Sequence, residues 1–244
     1  MPLFTTSISN QLSAATSGKL YYPALFSGSI NNVLGDLFNR EDLTQSGNWV
    51  LYTSVANAGT GTSTLNGNIL TAASGAVTND DVDLRTSGFS FDRTTSFASI
   101  DNRSQVVFYL PFKSTSTTDV KGFVGLVIST TTSISAIPTT GVHAGIYWDT
   151  SVDTNYYLTS GNGSAQVKTS CATALANSTR LLKITWTGLN SLVLEFYDTD
   201  FTTLLKSQTV TAFGANGVKL HWYVQNIALA AASLTATEWE AIYS

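Results

Sequence analysis

Residues Asp36–Ala73 read DLFNREDLTQSGNWVLYTSVANAGTGTSTLNGNILTAA. The stretch opens on a polar, turn-forming block, Asn39-Arg40-Glu41-Asp42, and passes through Gly47-Asn48-Trp49 into an extended apolar run, Val50–Val55. A Gly/Thr/Ser loop follows, and Asn66-Gly67 hands the chain to a second extended piece, Ile69–Ala72. Asn-Gly between short apolar runs is a strong hairpin signal, because both residues tolerate positive φ. The stretch therefore predicts turn, strand, loop, strand, and sets the first edge of a large β-sandwich.

Composition agrees. The chain has 244 residues, of which 11% are charged, against roughly 25% in an average globular domain. Glu and Lys, strong helix formers, are scarce, whereas Thr, Val, Tyr, Phe and Trp fit pleated, half-buried surfaces. A chain this long buries a sizeable core without disulfide or metal staples. The net charge of −4 comes with no basic run, so nucleic acid binding lacks its electrostatic footprint. Cys171 is the one cysteine, which excludes an internal disulfide and reads as a small packed residue. MPLFTTSISN at the start lacks the basic and apolar regions of a secretory signal. No apolar run approaches the ~20 residues that span a bilayer.

Outward from the opening stretch, strands follow one another at short spacing. In Gln105–Phe112, Val106, Phe108, Leu110 and Phe112 share one face. Lys121–Ser129 is a second interior strand. In Val142–Trp148, Ala144, Ile146 and Trp148 oppose His143, Gly145 and Tyr147. Arg180–Thr187 and Leu192–Asp198 flank Gly188–Ser191 as a hairpin, with Leu182, Ile184, Trp186, Leu192, Leu194 and Phe196 on one face and Lys183, Thr185, Glu195 and Tyr197 on the other. Leu204–Val210 and Val218–Val224 continue the pattern, the latter setting Leu220 and Trp222 against His221 and Tyr223. Near the end, Thr235 stands three residues before Glu238, a capping-box spacing that predicts a short C-terminal helix. Residues 1–35 hold neither period, and read as an N-terminal arm for attachment or oligomerisation, or as an extra edge strand. The expected architecture is all-β: a jelly-roll β-sandwich of two antiparallel sheets over residues 36–244, with an arm and that helix.

The residues Asp36, Phe38, Asn39, Arg40, Asp42, Gly47, Trp49, Asn66, Gly67 and Leu70 resemble, in order and spacing, the opening of concanavalin-like (laminin-G-like) jelly-roll domains. Such openings occur in bacteriophage virion proteins and in carbohydrate-active modules. The resemblance implies the sandwich fold. It also implies a non-enzymatic structural protein on the outside of a phage-type virion: a head decoration, a head fibre or a tail-associated adhesin. Its partners would be other virion proteins, a host-surface glycan and copies of itself, a trimer being the usual arrangement. It would be made in the host cytoplasm and end on the virion surface. A carbohydrate-binding module is the alternative, and a glycoside hydrolase or lyase a more distant one.

Hydrolysis on this fold needs a carboxylate pair. The chain has only four glutamates, Glu41, Glu195, Glu238 and Glu240, and the Glu-x-Asp-x-x-Glu motif of jelly-roll glucanases is absent. Glu195 and Asp198 project to opposite faces of one strand. Neither His143 nor His221 lies in a nucleophile motif, so no catalytic residue and no cofactor are expected. Asn79–Asp83 carries oxygen-rich side chains that suit calcium, but lacks the glycine and distal glutamate of an EF-hand loop. It reads as a solvated turn, and no metal is expected. Sugar binding needs aromatic faces and a few fixed polar groups. Tyr147, Tyr197, His221 and Tyr223 project from the faces opposite the tryptophans, with Lys183 and Glu195 nearby, and would form one patch if their strands are neighbours. Trp148, Asp149, Asp153, Tyr156 and Tyr157 make a second candidate patch.

Overall fold

A computed structural model describes residues 33–36, 52–55, 60–66, 69–86, 106–128, 141–187, 191–211, 213, 218–236 and 239–243. Residues 1–32, which would make up most of the arm, lie outside the described residues, as do Phe38–Trp49 and Gly67 of the opening motif.

The described residues hold sixteen strands: β1 (Val33–Asp36), β2 (Tyr52–Val55), β3 (Thr62–Asn66), β4 (Ile69–Ala73), β5 (Asp81–Thr86), β6 (Val106–Ser114), β7 (Val120–Ile128), β8 (His143–Asp149), β9 (Asn155–Gly161), β10 (Gln166–Ala174), β11 (Arg180–Trp186), β12 (Leu192–Tyr197), β13 (Leu204–Val210), β14 (Val218–Asn226), β15 (Ser233–Ala236) and β16 (Trp239–Tyr243). They form two antiparallel sheets. A seven-stranded sheet runs β10-β9-β8-β7-β14-β5-β2, and a nine-stranded sheet runs β13-β12-β11-β6-β15-β4-β3, with β16 on β6 and β1 on β16. β6 is the hub of the larger sheet. One of its edges pairs with β11, while the other is shared by β16, at Val106–Tyr109, and β15, at Lys113 and Ser114. This is a jelly-roll β-sandwich, as the alternation predicted.

The opening stretch does set edges, one for each sheet. β2 pairs with β5 at the end of the seven-stranded sheet. β3 and β4 pair as antiparallel neighbours, Asn66 opposite Ile69, at the end of the nine-stranded one. The boundary expected at residue 35 falls inside β1, where Gly35 pairs with Glu240.

The expected C-terminal helix is not formed; Ser233–Ala236 and Trp239–Tyr243 are strands. The capping-box spacing competes with a period-two pattern. Leu234 and Ala236 are buried and Ser233 and Thr235 half-buried, and the backbone of Ser233–Ala236 pairs with β4. A helix there would leave one edge of β6 and one edge of β4 without their ladder partners, and unpaired buried backbone groups are costly.

The core between the sheets takes the inward face of every long strand. Phe108, Leu110, Phe112, Trp148, Tyr156, Leu182, Ile184, Phe196, Leu220 and Trp222 are all at most 1% exposed. Each such side chain contributes roughly 1.5–3 kcal/mol on burial. Trp148 stacks on Phe112 across the sandwich at 5.6 Å and 7°, and meets Tyr156 edge-on at 5.6 Å. The indole lies against Gly122 on the neighbouring strand, filling the space a β-carbon would occupy. Cys171 is a free, buried thiol, pushed up to about 11 by that burial, so it is packed rather than reactive.

Candidate functional site: the outer face of the seven-stranded sheet

Because side chains alternate along a strand, each inward tryptophan fixes what its neighbours present outward. Registers across β5, β14, β7, β8, β9 and β10 align the outward residues in rows. One row is Asp83, Tyr223, Phe123, Tyr147, Tyr157 and Ser170. The next is Arg85, His221, Gly125, Gly145, Thr159 and Lys168. Phe123, Val127 and Tyr223 make a small apolar cluster with Tyr147 packed against it, separate from the main core.

The glycines in the second row are required by close approach. A β-carbon on Gly145 would lie 2.8 Å from Cζ of Phe123 and 2.2 Å from the Val124 carbonyl oxygen. The Phe123 ring therefore lies over Gly145. In the same way the His143 ring lies over Gly161, where a β-carbon would be 2.7 Å from Cε1.

The β14 end of this face is closed to solvent. His221 and Asp83 are at most 1% exposed, and Nδ1 of His221 donates to both carboxylate oxygens, at 2.9 and 3.1 Å. Tyr223 is also buried; burial first, then the charge and hydrogen bond of Asp81, push its phenol far above the ordinary tyrosine range. In the middle, Nδ1 of His143 donates to the Gly141 carbonyl (2.7 Å) and Nε2 accepts from Oγ1 of Thr159 (3.0 Å), which in turn accepts from Nε2 of Gln166 (3.1 Å). Burial holds His143 below its usual range, with the Gly141 contact opposing. It is a neutral, structural histidine.

The β8–β10 end is open. Tyr147 and Tyr157 are half-buried neighbours in register, and Nζ of the exposed Lys168 sits over both rings, 4.6 Å and 4.2 Å from their centroids. Such cation–π contacts hold an ammonium in place while leaving its N–H donors free to turn outward. Oη of Tyr147 donates to Oδ2 of Asp149 (2.8 Å), and the Tyr157 hydroxyl donates to Asp153. Asp149 also accepts from the amide (3.0 Å) and hydroxyl (2.6 Å) of Ser151 and lies 3.4 Å from Nζ of Lys121. Burial alone would raise the Asp149 carboxyl, but the Ser151 and Tyr147 hydrogen bonds and Lys121 outweigh it and hold it low. Asp153 is held low by the Tyr157 hydroxyl and the Asn155 amide. The result is an open patch of two aromatic rings, the Lys168 ammonium and the Asp153 carboxylate, backed by the buried Asp149 and its Lys121 partner.

The residues expected from sequence are thus redistributed. Tyr147, His221 and Tyr223 do share one face, but only Tyr147 reaches solvent. Tyr197 belongs to β12 in the other sheet, where its hydroxyl donates to Glu195 (3.0 Å) and Glu195 pairs with Lys183 (2.6 Å). The second expected patch divides at the sheet: Trp148 and Tyr156 enter the core, and Asp149, Asp153 and Tyr157 stay outside it. The Asn79–Asp83 segment is not the solvated turn expected, since Asp80, Asp81 and Asp83 are at most 1% exposed. Among the described residues no three His, Cys, Asp or Glu side chains converge to hold a metal. Sequence reasoning missed Lys168 because β10 is polar and mostly exposed and shows no apolar alternation.

What the described residues define is a fold, a jelly-roll β-sandwich of two antiparallel sheets. No known family model matches the sequence. No curated protein matches it either. Solved structures do resemble it. The carbohydrate recognition domain of Emp47p aligns at TM-score 0.58 and 14% identity over 88% of this chain and 96% of its own. A prokaryotic β-1,3-1,4-glucanase (lichenase) from a mouse hindgut metagenome aligns at 0.56 and 10% over 87% and 99%. Peanut lectin aligns at 0.55 and 12% over 87% and 97%. At these identities the likeness is one of fold, and it includes both binding proteins and enzymes.

Proposed function

We propose that this protein is a non-enzymatic, glycan-binding surface protein, and that its setting is the outside of a phage-type virion, as an adhesin or decoration. The observation that carries the binding part is the open Tyr147–Tyr157–Lys168 cluster between Asp149 and Asp153. Aromatic side chains and a few fixed polar groups recognise sugar rings and hydroxyls, and structural neighbours include a carbohydrate recognition domain and a lectin. Binding is favoured over hydrolysis by the state of the two acids. A glycosidase needs one carboxyl that keeps its proton near neutrality, whereas Asp149 and Asp153 are both held low. The virion setting is supported by the opening motif and the low-charge, Ser/Thr-rich composition.

The test is a glycan array with the full chain, followed by titration of the best hit. Tyr157→Ala and Lys168→Ala should each weaken that hit by at least about threefold, the scale of losing one aromatic or cation–π contact. They should leave the far-UV circular dichroism unchanged. Wild type that binds no glycan, or that releases reducing ends from β-glucans, overturns the reading.

A further inference from the structure

If the β8–β10 end of the outer face binds glycans, as proposed above, its hydrogen-bonding groups also select a class of sugar. The two acids are already engaged. Oδ1 of Asp149 accepts from the amide and hydroxyl of Ser151, and Oδ2 accepts from Tyr147 and lies 3.4 Å from Nζ of Lys121. Oδ1 of Asp153 accepts from the Asn155 amide (2.7 Å) and Oδ2 from the Tyr157 hydroxyl. Both phenol protons are thus directed at the acids, and Lys121 is neutralised by Asp149. Lys168 differs. Among the described residues its ammonium forms no ion pair, and its printed neighbours are the rings of Tyr147 and Tyr157. Register explains how it is held. Tyr147, Tyr157 and Ser170 stand side by side on β8, β9 and β10, and Lys168 lies two residues from Ser170 on the same face. Its stem reaches the rings along the diagonal, a distance that long side chains cover.

An incoming sugar therefore meets a positioned cation lying over the rings, beside acids whose oxygens already have donors. An ammonium offers N–H donors and no acceptor. A neutral sugar gives it only hydroxyls, and must displace it to stack on the ring faces it covers. A sugar carboxylate displaces nothing and gains a charge-assisted hydrogen bond, the stronger kind. We infer that the site takes glycans bearing a carboxylate sugar, a hexuronic or a sialic acid. The carboxylate sits on Nζ of Lys168 and the sugar ring against Tyr147 and Tyr157. The cluster also limits how much charge the ligand carries. One ammonium, with Asp153 tied to the same Tyr157, matches one acid group. A sulfated polymer presents a dense run of charges and calls for a row of cations, whereas this chain has a net charge of −4 and no basic run.

The experiment presents the full chain with sialosides and oligogalacturonates, each before and after reduction of the carboxylate to a hydroxymethyl group, and with sulfated galactan oligosaccharides. The acidic member of the preferred pair should bind at least about fivefold more tightly by calorimetry, the scale of one exposed charge-assisted contact. Which pair is preferred tells a sialic from a hexuronic acid. Lys168→Met keeps an apolar stem over the rings without the charge, and should bring the ratio of acidic to reduced ligand to about one. Lys168→Arg should preserve the preference. Equal binding of acidic and reduced members by wild type overturns the inference while leaving the glycan-binding reading in place. A preference that survives Lys168→Met overturns it in the same way, as does tighter binding of the sulfated galactans than of either acid. Wild type that binds no glycan at all overturns the glycan-binding reading, and the inference falls with it.

Discussion

The contact between Gly122 and Trp148 can be tested by adding one methyl group. In Gly122→Ala the new β-carbon falls 2.1 Å from Cζ2, 2.4 Å from Cε2 and 2.7 Å from Cη2 of Trp148. Ordinary carbon–carbon contact is about 3.5–4.0 Å, so the indole must retreat by more than an ångström. It has nowhere to go without disturbing the Phe112 stack and the Tyr156 edge contact. Overpacking of this kind costs about 1–3 kcal/mol, and about 2–4 °C is lost per kcal/mol in a chain of this size. The expected fall in midpoint is therefore about 2–12 °C. The clashing atoms belong to the six-membered ring of the indole, which Trp148→Phe removes. In that background Gly122→Ala should be neutral or mildly stabilising, since alanine restricts the unfolded chain by about 0.4–1 kcal/mol. Urea denaturation of the four proteins, followed by circular dichroism, gives the coupling directly. If Gly122→Ala costs the same with and without Trp148, the steric account is wrong.

Other outcomes follow from the same structure. His143 is held below its ordinary 6.5 by burial, so above pH 6.5 it is neutral in both states; as pH falls below that, the unfolded chain takes up the proton first and stability is lost. His143→Gln should flatten stability against pH on the acid side of 6.5, removing a slope of up to about 1.4 kcal/mol per pH unit; an unchanged slope refutes the assignment. Deleting residues 1–35 removes most of β1 and should abolish incorporation into particles and reduce the mass seen by light scattering. A truncated chain that still assembles sinks the attachment role. At the glycan site, Tyr223→Phe should bind as wild type does, because Tyr223 is buried, and reduced binding with an intact fold would move the site toward β14.

The fold was legible wherever one face of a strand is buried. Leu182, Ile184 and Trp186 alternate with Lys183 and Thr185, and the observed burial follows that alternation. β10 escaped notice because an edge strand with little core to cover has no pattern to display. The C-terminal segment was misjudged because Thr235 and Glu238 carry a local signal, whereas the ladder to β4 and β6 is set by residues far away in sequence. The site was half legible. Alternation placed Tyr147, His221 and Tyr223 on one side, but not that β12 and its Tyr197 belong to the other sheet. Nor does any spacing announce a pair such as His221 and Asp83, 138 residues apart.

The shared edge of β6 also has a kinetic side. Tyr109 waits for Glu240, and Lys113 for Thr235, so the middle of the larger sheet cannot close until the last described strands have left the ribosome. Until then a hydrophobic strand stands with one edge unpaired, the kind of edge on which other chains aggregate. Long-range pairings of this sort make folding slow, on the millisecond-to-second scale or beyond. The chain is therefore vulnerable until β15 and β16 have paired with β6, and yield on expression should respond more to temperature and chaperones than the stability of the folded sandwich would suggest.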